Sequence, residues 1–203
     1  MTPGAAIRVA ATFDMEHPSR EHQLAEAPGL ILDTLGDRGT RATFFVQGRW
    51  ARAYPDLARR VVAEGHLLGN HSHQHARMSH LTDRGLRADV RAAHEALLDV
   101  TGVDPRPWFR CPFGDGHDDP RVQLALAELG YFHIHWDVDS VDYSPATARE
   151  GFAERIAAQV AARGDGAVVL WHTWPSITAD LLGAALDALL TSGAQLVGVD
   201  ALG

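Results

Sequence analysis

Two histidines four residues apart, His71 and His75 in the stretch GNHSHQH, are the first candidates for chemistry in this chain. Spacing of i and i+4 predicts one face of a helical turn, from which both imidazoles reach a single divalent ion. With a third ligand and one open position, such an ion makes water more acidic and polarises a carbonyl. The chain has 12 histidines, and a pair of ordinary hydrogen-bonded rings is the plainer reading of this spacing alone. Other ionisable clusters bear on the choice: Asp14 with Glu16, then Arg110, the run from Asp137 to Asp142, and His172. Each has its own plain alternative, since Arg110 could be a surface ion pair and the aspartate run a capping loop. Their shared placement at the ends of apolar runs is what makes one common site the better reading.

The elements that would position these residues alternate between short apolar runs and longer amphipathic ones. Strands are expected at Ile7 to Phe13, Arg41 to Val46, His66 to Asn70, Trp108 to Cys111, Tyr131 to Val138, Ala167 to His172 and Gln195 to Val199. Helices are expected at Leu24 to Leu35, interrupted near Pro28 and Gly29, and at Pro55 to Glu64, Pro120 to Leu129, Ala146 to Arg163 and Ala179 to Leu190. A longer helix should start after Thr82, carry Leu86, Val90, Ala93 and Leu97 on one face, and end at Gly102. This order predicts an α/β fold of parallel strands wrapped by helices, a barrel or an open sheet. In a barrel the carboxyl ends of the strands line one mouth, where the polar clusters fall.

Composition sets the outer limits. At 203 residues, with 46% hydrophobic and 22% charged residues, the chain suits one domain over residues 1–203. A net charge of −8 argues against a nucleic-acid surface or an anionic membrane. Cys111 is the sole cysteine, so no intrachain disulfide can form. No basic n-region with a long apolar run opens the sequence, and no stretch approaches the ~20 apolar residues of a membrane span. The expectation is a soluble, cytoplasmic protein of unspecified oligomeric state.

Five segments, in order, resemble the motifs of the metal-dependent polysaccharide deacetylases, the NodB-homology family of carbohydrate esterase type. They are TFDMEHP at the first strand end, His71-Ser72-x-x-His75, RCPFG from Arg110, DSVDY from Asp139, and Leu170-Trp171-His172. The resemblance implies a distorted (β/α) barrel of about seven parallel strands in a single domain. It also implies a divalent ion, Zn2+ first with Co2+ or Ni2+ as alternatives, on His71, His75 and a first-motif carboxylate. Asp14 would be the general base, Arg110 its partner, His172 the general acid and Asp142 the carboxylate that orients it. The backbone at Phe113 would face the oxyanion, and Tyr143 with Leu170 would flank an acetyl methyl; packing in the core is the other reading of those two side chains.

The first motif departs from the family's usual Asp-Asp. Met15 stands where the ligand would be, and a thioether is a poor donor for a hard or borderline ion. At a strand end, i and i+2 project to one side, so Glu16 can take the metal role while Met15 turns into the wall. The reverse assignment, Asp14 as ligand and Glu16 as base, stays open. The expected activity is removal of N-acetyl groups from an amino sugar of N-acetylglucosamine type. A cyclic-amide hydrolase of imidase or allantoinase type and an inactive sugar-binding relative are the alternatives.

Overall fold

Alternating apolar and amphipathic segments fold into strands and helices in nearly the expected order. The computed structural model describes residues 6–17 and 25–202. In chain order these form β1 (Arg8–Met15), α1 (Ala27–Gly36), β2 (Thr43–Val46), α2 (Gly48–Ala53), α3 (Pro55–Ala63), β3 (Leu67–Asn70) and α4 (Asp83–Thr101). There follow β4 (Trp108–Phe109), α5 (Pro120–Glu128), β5 (Phe132–His133), β6 (Val138–Asp139), α6 (Phe152–Arg163), β7 (Ala167–His172), α7 (Ser176–Thr191) and β8 (Gln195–Val197).

The chain divides into two compact units. One gathers the described residues up to Phe13, those from 25 to Thr43 and those from Trp136 onward; the other holds Asp14 to His17 and Phe44–His135. In the first unit β1 lies between β8 and β7, with β6 on the far side of β7. β1 pairs parallel with β8, Val9 against Leu196, and β6 parallel with β7, Asp139 against Leu170. Helix α7 packs on α1 and α6, burying Leu182, Leu186 and Leu189.

In the second unit the order is β2, β3, β4, β5, again with parallel pairs where β4 meets β3 and β5. Helix α4 is central and packs against α2, α3 and α5. Its buried stripe of Leu86, Val90, Ala93 and Leu97 follows the expected helical period. Full burial of each large member stabilises by about 1.5–3 kcal/mol. Thr82 Oγ1 accepts from Gly85 N–H at 3.2 Å to cap the start, and Gly102, at φ 72°, turns the end in a left-handed conformation. Met78, Leu86, Phe109, Cys111, Val122, Leu126 and Tyr131 close this core.

Four expectations are corrected. The single strand at Tyr131 to Val138 is two short ones, β5 and β6, separated by residues 134–137 without strand pairing. The helix expected from Ala146 starts only at Phe152, after a turn in which Gly151 has φ 68°. Helix α2 was not expected; six residues are too few to display a period. The expected helix over Leu24 to Leu35 begins at Ala27 and runs unbroken through Pro28 and Gly29, because Pro28 sits in its first turn, and its Leu24 start lies outside the described residues. No described helix is long and apolar enough to cross a membrane.

Candidate active site

The loop of the second unit that carries His71 and His75 begins where β3 ends. His71 N–H donates to Val46 O at 3.1 Å, so β3 is still held to β2 as its first imidazole emerges. Beyond it the chain is not the helical turn that the i, i+4 spacing suggests. Ser72 (φ 62°) and His75 (φ 56°) both sit in the left-handed region, which non-glycine side chains disfavour. Buried polar side chains hold that shape. Asn70 Oδ1 accepts from Ser72 N–H at 2.8 Å, and Ser72 Oγ accepts from His75 N–H at 2.9 Å. Asp89 of α4 accepts from His73 N–H and Gln74 N–H at 2.8 and 2.9 Å. Asn70 is anchored in turn by donating to Val90 O and to the Tyr131 hydroxyl, each at 3.1 Å. The Ser of the second motif therefore shapes the loop that brings the two rings together.

Glu16 completes a cluster with them. One carboxylate oxygen of Glu16 and one ring nitrogen each of His71 and His75 lie within 4.8 Å of one another, the only such group of three among the described residues. Glu16 Oε2 is 3.1 Å from His71 Nε2 and in close contact with His75 Nε2. Its other oxygen is 3.0 Å from His17 Nε2. Met15, between the two carboxylates, is wholly buried, as the strand-end alternation requires.

Asp14 faces a different partner. Its Oδ1 accepts from Arg110 Nη1 at 3.0 Å, while its Oδ2 is 3.5 Å from His71 Nε2. Arg110 is fully buried, not a surface ion pair: its guanidinium also donates to Ile134 O at 3.1 Å and lies 4.2 Å over the Phe45 ring. Its backbone carbonyl accepts from His71 Nδ1 at 2.9 Å. One residue thus fixes both the aspartate and the tautomer of the first imidazole. With Nδ1–H given to a carbonyl, Nε2 of a neutral His71 offers a lone pair to two carboxylates. Acceptors face acceptors there, and only a proton or a cation relieves that arrangement. The donor set fits a divalent ion on these grounds.

The electrostatics agree. Burial alone would raise the Glu16 carboxyl, but hydrogen bonds from His17, His71 and His75 hold it well below the carboxylate range. Burial lowers His71, yet Asp14, Glu16 and the Arg110 carbonyl outweigh it and leave its pKa raised. His75 is lowered, chiefly by burial, with the neighbouring imidazoles adding to it against the opposing pull of Glu16. Next to Arg110, the Cys111 thiol is buried and pushed up to about 12, mainly by burial. Beyond it, Phe113 adopts φ 58° and presents an exposed ring edge-on to His75, 4.5 Å between centroids.

The first unit carries the other expected pair. His172, at the end of β7, has its Nδ1 2.7 Å from Asp142 Oδ1, and its backbone N–H donates to Asp142 Oδ2 at 2.7 Å. Thr178 of α7 also donates to Asp142 Oδ2, at 2.6 Å. The other aspartates of the run behave as local structure: Asp137 binds Arg163 and the Val168 N–H, and Asp139 accepts from Val141 N–H. Tyr143 is half exposed and stands edge-on to His172 at 5.4 Å, whereas Leu170 is buried within β7. Sequence reasoning missed His17, Gln47, Asp89 and Thr178. Only His17, adjacent to Glu16, carried a signal in the sequence.

A buried carboxylate and two imidazoles beside an arginine-held aspartate could hold one divalent ion. The family model for polysaccharide deacetylases matches residues 3–133, and the chain belongs to that family. The peptidoglycan-N-acetylglucosamine deacetylase PgdA of Listeria monocytogenes is 33% identical over 196 residues, covering 96% of this chain and 38% of its own length. A chitooligosaccharide deacetylase of Rhizobium leguminosarum bv. trifolii is 33% identical over 144 residues, 71% of this chain and 64% of that protein. The chain thus spans less than two thirds of either relative. Among solved structures, a family 4 carbohydrate esterase from Streptomyces lividans in complex with acetate matches with a TM-score of 0.80 at 26% identity, over 95% and 91% of the two chains. A family 4 pseudoenzyme from Bacillus anthracis matches with a TM-score of 0.85 at 23% identity, over 98% and 66%, a likeness of fold alone. These matches bear out the distorted (β/α) barrel expected from the sequence.

Proposed function

We propose that this chain is a metal-dependent N-deacetylase that hydrolyses the acetamido group of an N-acetylglucosamine-type sugar, in an oligosaccharide or glycoconjugate. The convergence of Glu16, His71 and His75 next to the Arg110–Asp14 pair carries the reading, and the activities named for the Listeria and Rhizobium relatives support it. A divalent ion on the three donors, Zn2+ first with Co2+ and Ni2+ suiting the same set, would lend Lewis acidity to the amide carbonyl and to water.

The chain's own groups would do the rest. Asp14, kept oriented by Arg110, takes a proton from the attacking water as its oxygen bonds to the carbonyl carbon. The backbone N–H at Phe113 stabilises the negative oxygen of the tetrahedral species. His172 then gives a proton to the nitrogen as the C–N bond breaks, yielding acetate and a free amine. Asp142 holds the His172 ring at Nδ1 and favours its protonated form. Tyr143 and Leu170 flank the acetyl methyl.

Acetate release from N-acetylglucosamine oligomers, measured alongside metal content, tests this. Release that stops with chelation and returns with Zn2+ is expected. A metal-loaded protein that leaves the oligomers intact but opens a cyclic imide would overturn the substrate assignment, and one that binds the oligomers without turnover would mark an inactive sugar-binding relative.

A further inference from the structure

The two oxygens of Glu16 are divided between different partners. Oε2 faces His71 and His75, while Oε1 is 3.0 Å from His17 Nε2; the carboxylate and the rings of His71 and His75 are buried, and His17 is partly exposed. His17 also sets its ring edge-on to His75, with 4.5 Å between centroids. It reaches this place through an uncommon backbone, φ 57°. The buried Gln47 fixes that conformation: its Oε1 accepts from His17 N–H at 3.0 Å and its Nε2 donates to His73 O at 3.0 Å. The Gln47 N–H donates to Met15 O at 2.9 Å. One side chain at the end of β2 therefore ties the Glu16 turn to the His71–His75 loop. A left-handed non-glycine residue is strained and persists where surrounding structure enforces it.

We infer that His17 is a positioning residue for the metal centre: it engages Glu16 Oε1 so that Oε2 alone is turned to the ion, and Gln47 holds His17 in that pose. The inference rests on the proposed ligand set of Glu16, His71 and His75. A carboxylate free at both oxygens can swing or chelate through both, which changes coordination number and weakens the selected geometry. A hydrogen bond to the outer oxygen removes that freedom, and loss of such partners typically costs about 10–100-fold in metal affinity. Ring packing against His75 is a separate contribution, so the test must distinguish the hydrogen bond from the ring.

Zn2+ retention against a chromophoric chelator would be measured for the full chain and for His17→Ala, His17→Phe and His17→Gln, with the Co2+ absorption spectrum of each. The expected result is an affinity about 10–100-fold lower for His17→Ala and His17→Phe. His17→Gln, which can still donate to Oε1, should lie within a few-fold of the unmodified chain. The Co2+ bands of His17→Ala should weaken as coordination number rises. Unchanged affinity in His17→Ala overturns the inference, as does rescue by His17→Phe, which would assign the effect to packing. Failure of His17→Gln together with a Co2+ spectrum that has lost a nitrogen donor would make His17 a direct ligand and also overturns it. If His17→Ala fails to fold, judged by circular dichroism of the metal-free protein, His17→Phe and His17→Gln decide together: loss in His17→Phe with retention in His17→Gln supports the inference, and equal affinities overturn it. An unmodified chain that retains no ion rejects the ligand set itself, an outcome distinct from all of these.

Discussion

Asp142 in one unit and Glu16 in the other are both buried carboxylates in contact with histidine, yet their surroundings are opposite. Asp142 receives hydrogens from His172 Nδ1, His172 N–H and Thr178 Oγ1 at 2.6–2.7 Å. That pair is complete as protein. Glu16 and Asp14 instead share the space around His71, whose Nδ1 is committed to the Arg110 carbonyl. Such a cluster is balanced only by added positive charge, a proton on the raised His71 or a bound cation. The backbone differs too. Ser72, His75, His17 and Phe113 all have positive φ around the acceptor-rich cluster; beside Asp142, Val141 does too, at φ 58°, while His172 rides on the regular strand β7. Strain collects where a geometry must be imposed, and four such residues surround the Glu16 cluster against one beside the Asp142 pair.

The largest expected effect separates the two carboxylates of the strained cluster. Glu16→Ala should lose the ion on gel filtration and lose activity with it, while Asp14→Asn should keep the ion and still lose most turnover. Metal retention by Glu16→Ala with loss in Asp14→Asn would exchange the two roles. On the other side of the comparison, His172→Ala should lower amide hydrolysis by about 10²–10⁴-fold. An activated aryl ester, whose leaving group needs little protonation, should suffer much less, and equal losses on both would remove His172 as proton donor.

Stability sharpens the contrast further. Arg110→Met leaves Asp14 buried without its cation, which should cost about 3–5 kcal/mol in urea unfolding. Thr178→Val removes one of three donors to Asp142 and should cost less, about 1–3 kcal/mol. A change of the reverse order would mean that the Asp142 pair, not Arg110, is the more dependent on its partners. The smallest effect at neutral pH concerns His133, pushed down to about 3 from 6.5 by burial and then by Arg110, His135 and His117. Below about 6.5 the unfolded chain takes up a proton that the folded chain refuses until about 3, so stability should decline across that window. His133→Gln should flatten that part of the urea-midpoint profile, and an unchanged slope would assign it to other groups.

Much of this arrangement was legible in the sequence, for reasons that also explain the gaps. Strand alternation put Asp14 and Glu16 on one side of Met15, and the helical period marked the buried face of α4. Both rules depend on regular backbone. The i, i+4 rule misled at His71 and His75 because Ser72 and His75 are left-handed, a state set within the stretch by Asn70 and Ser72 and from distant segments by Asp89 and Gln47. Nothing local in GNHSHQH announces Asp89 or Gln47. Tyr131 to Val138 read as one strand because hydrophobicity does not register where pairing is interrupted. Arg110 offered the plain alternative of a surface ion pair, and only the three-dimensional contacts with Phe45, Ile134 and Asp14 place it inside.

The buried Cys111 gives this protein a built-in reporter of breathing motions. Its thiol sits in the apolar cluster with Phe109 and Tyr131, one residue from Arg110, and burial keeps it almost entirely protonated at neutral pH. A thiol reagent reacts with the thiolate, so the closed protein should be nearly inert to labelling. As the chain has no other cysteine, every label reports opening around Arg110, and where reclosing outpaces labelling the rate follows the open population. Labelling rates with and without an added ion would then give the free energy by which the cation clamps that region, without any substrate or spectroscopic probe.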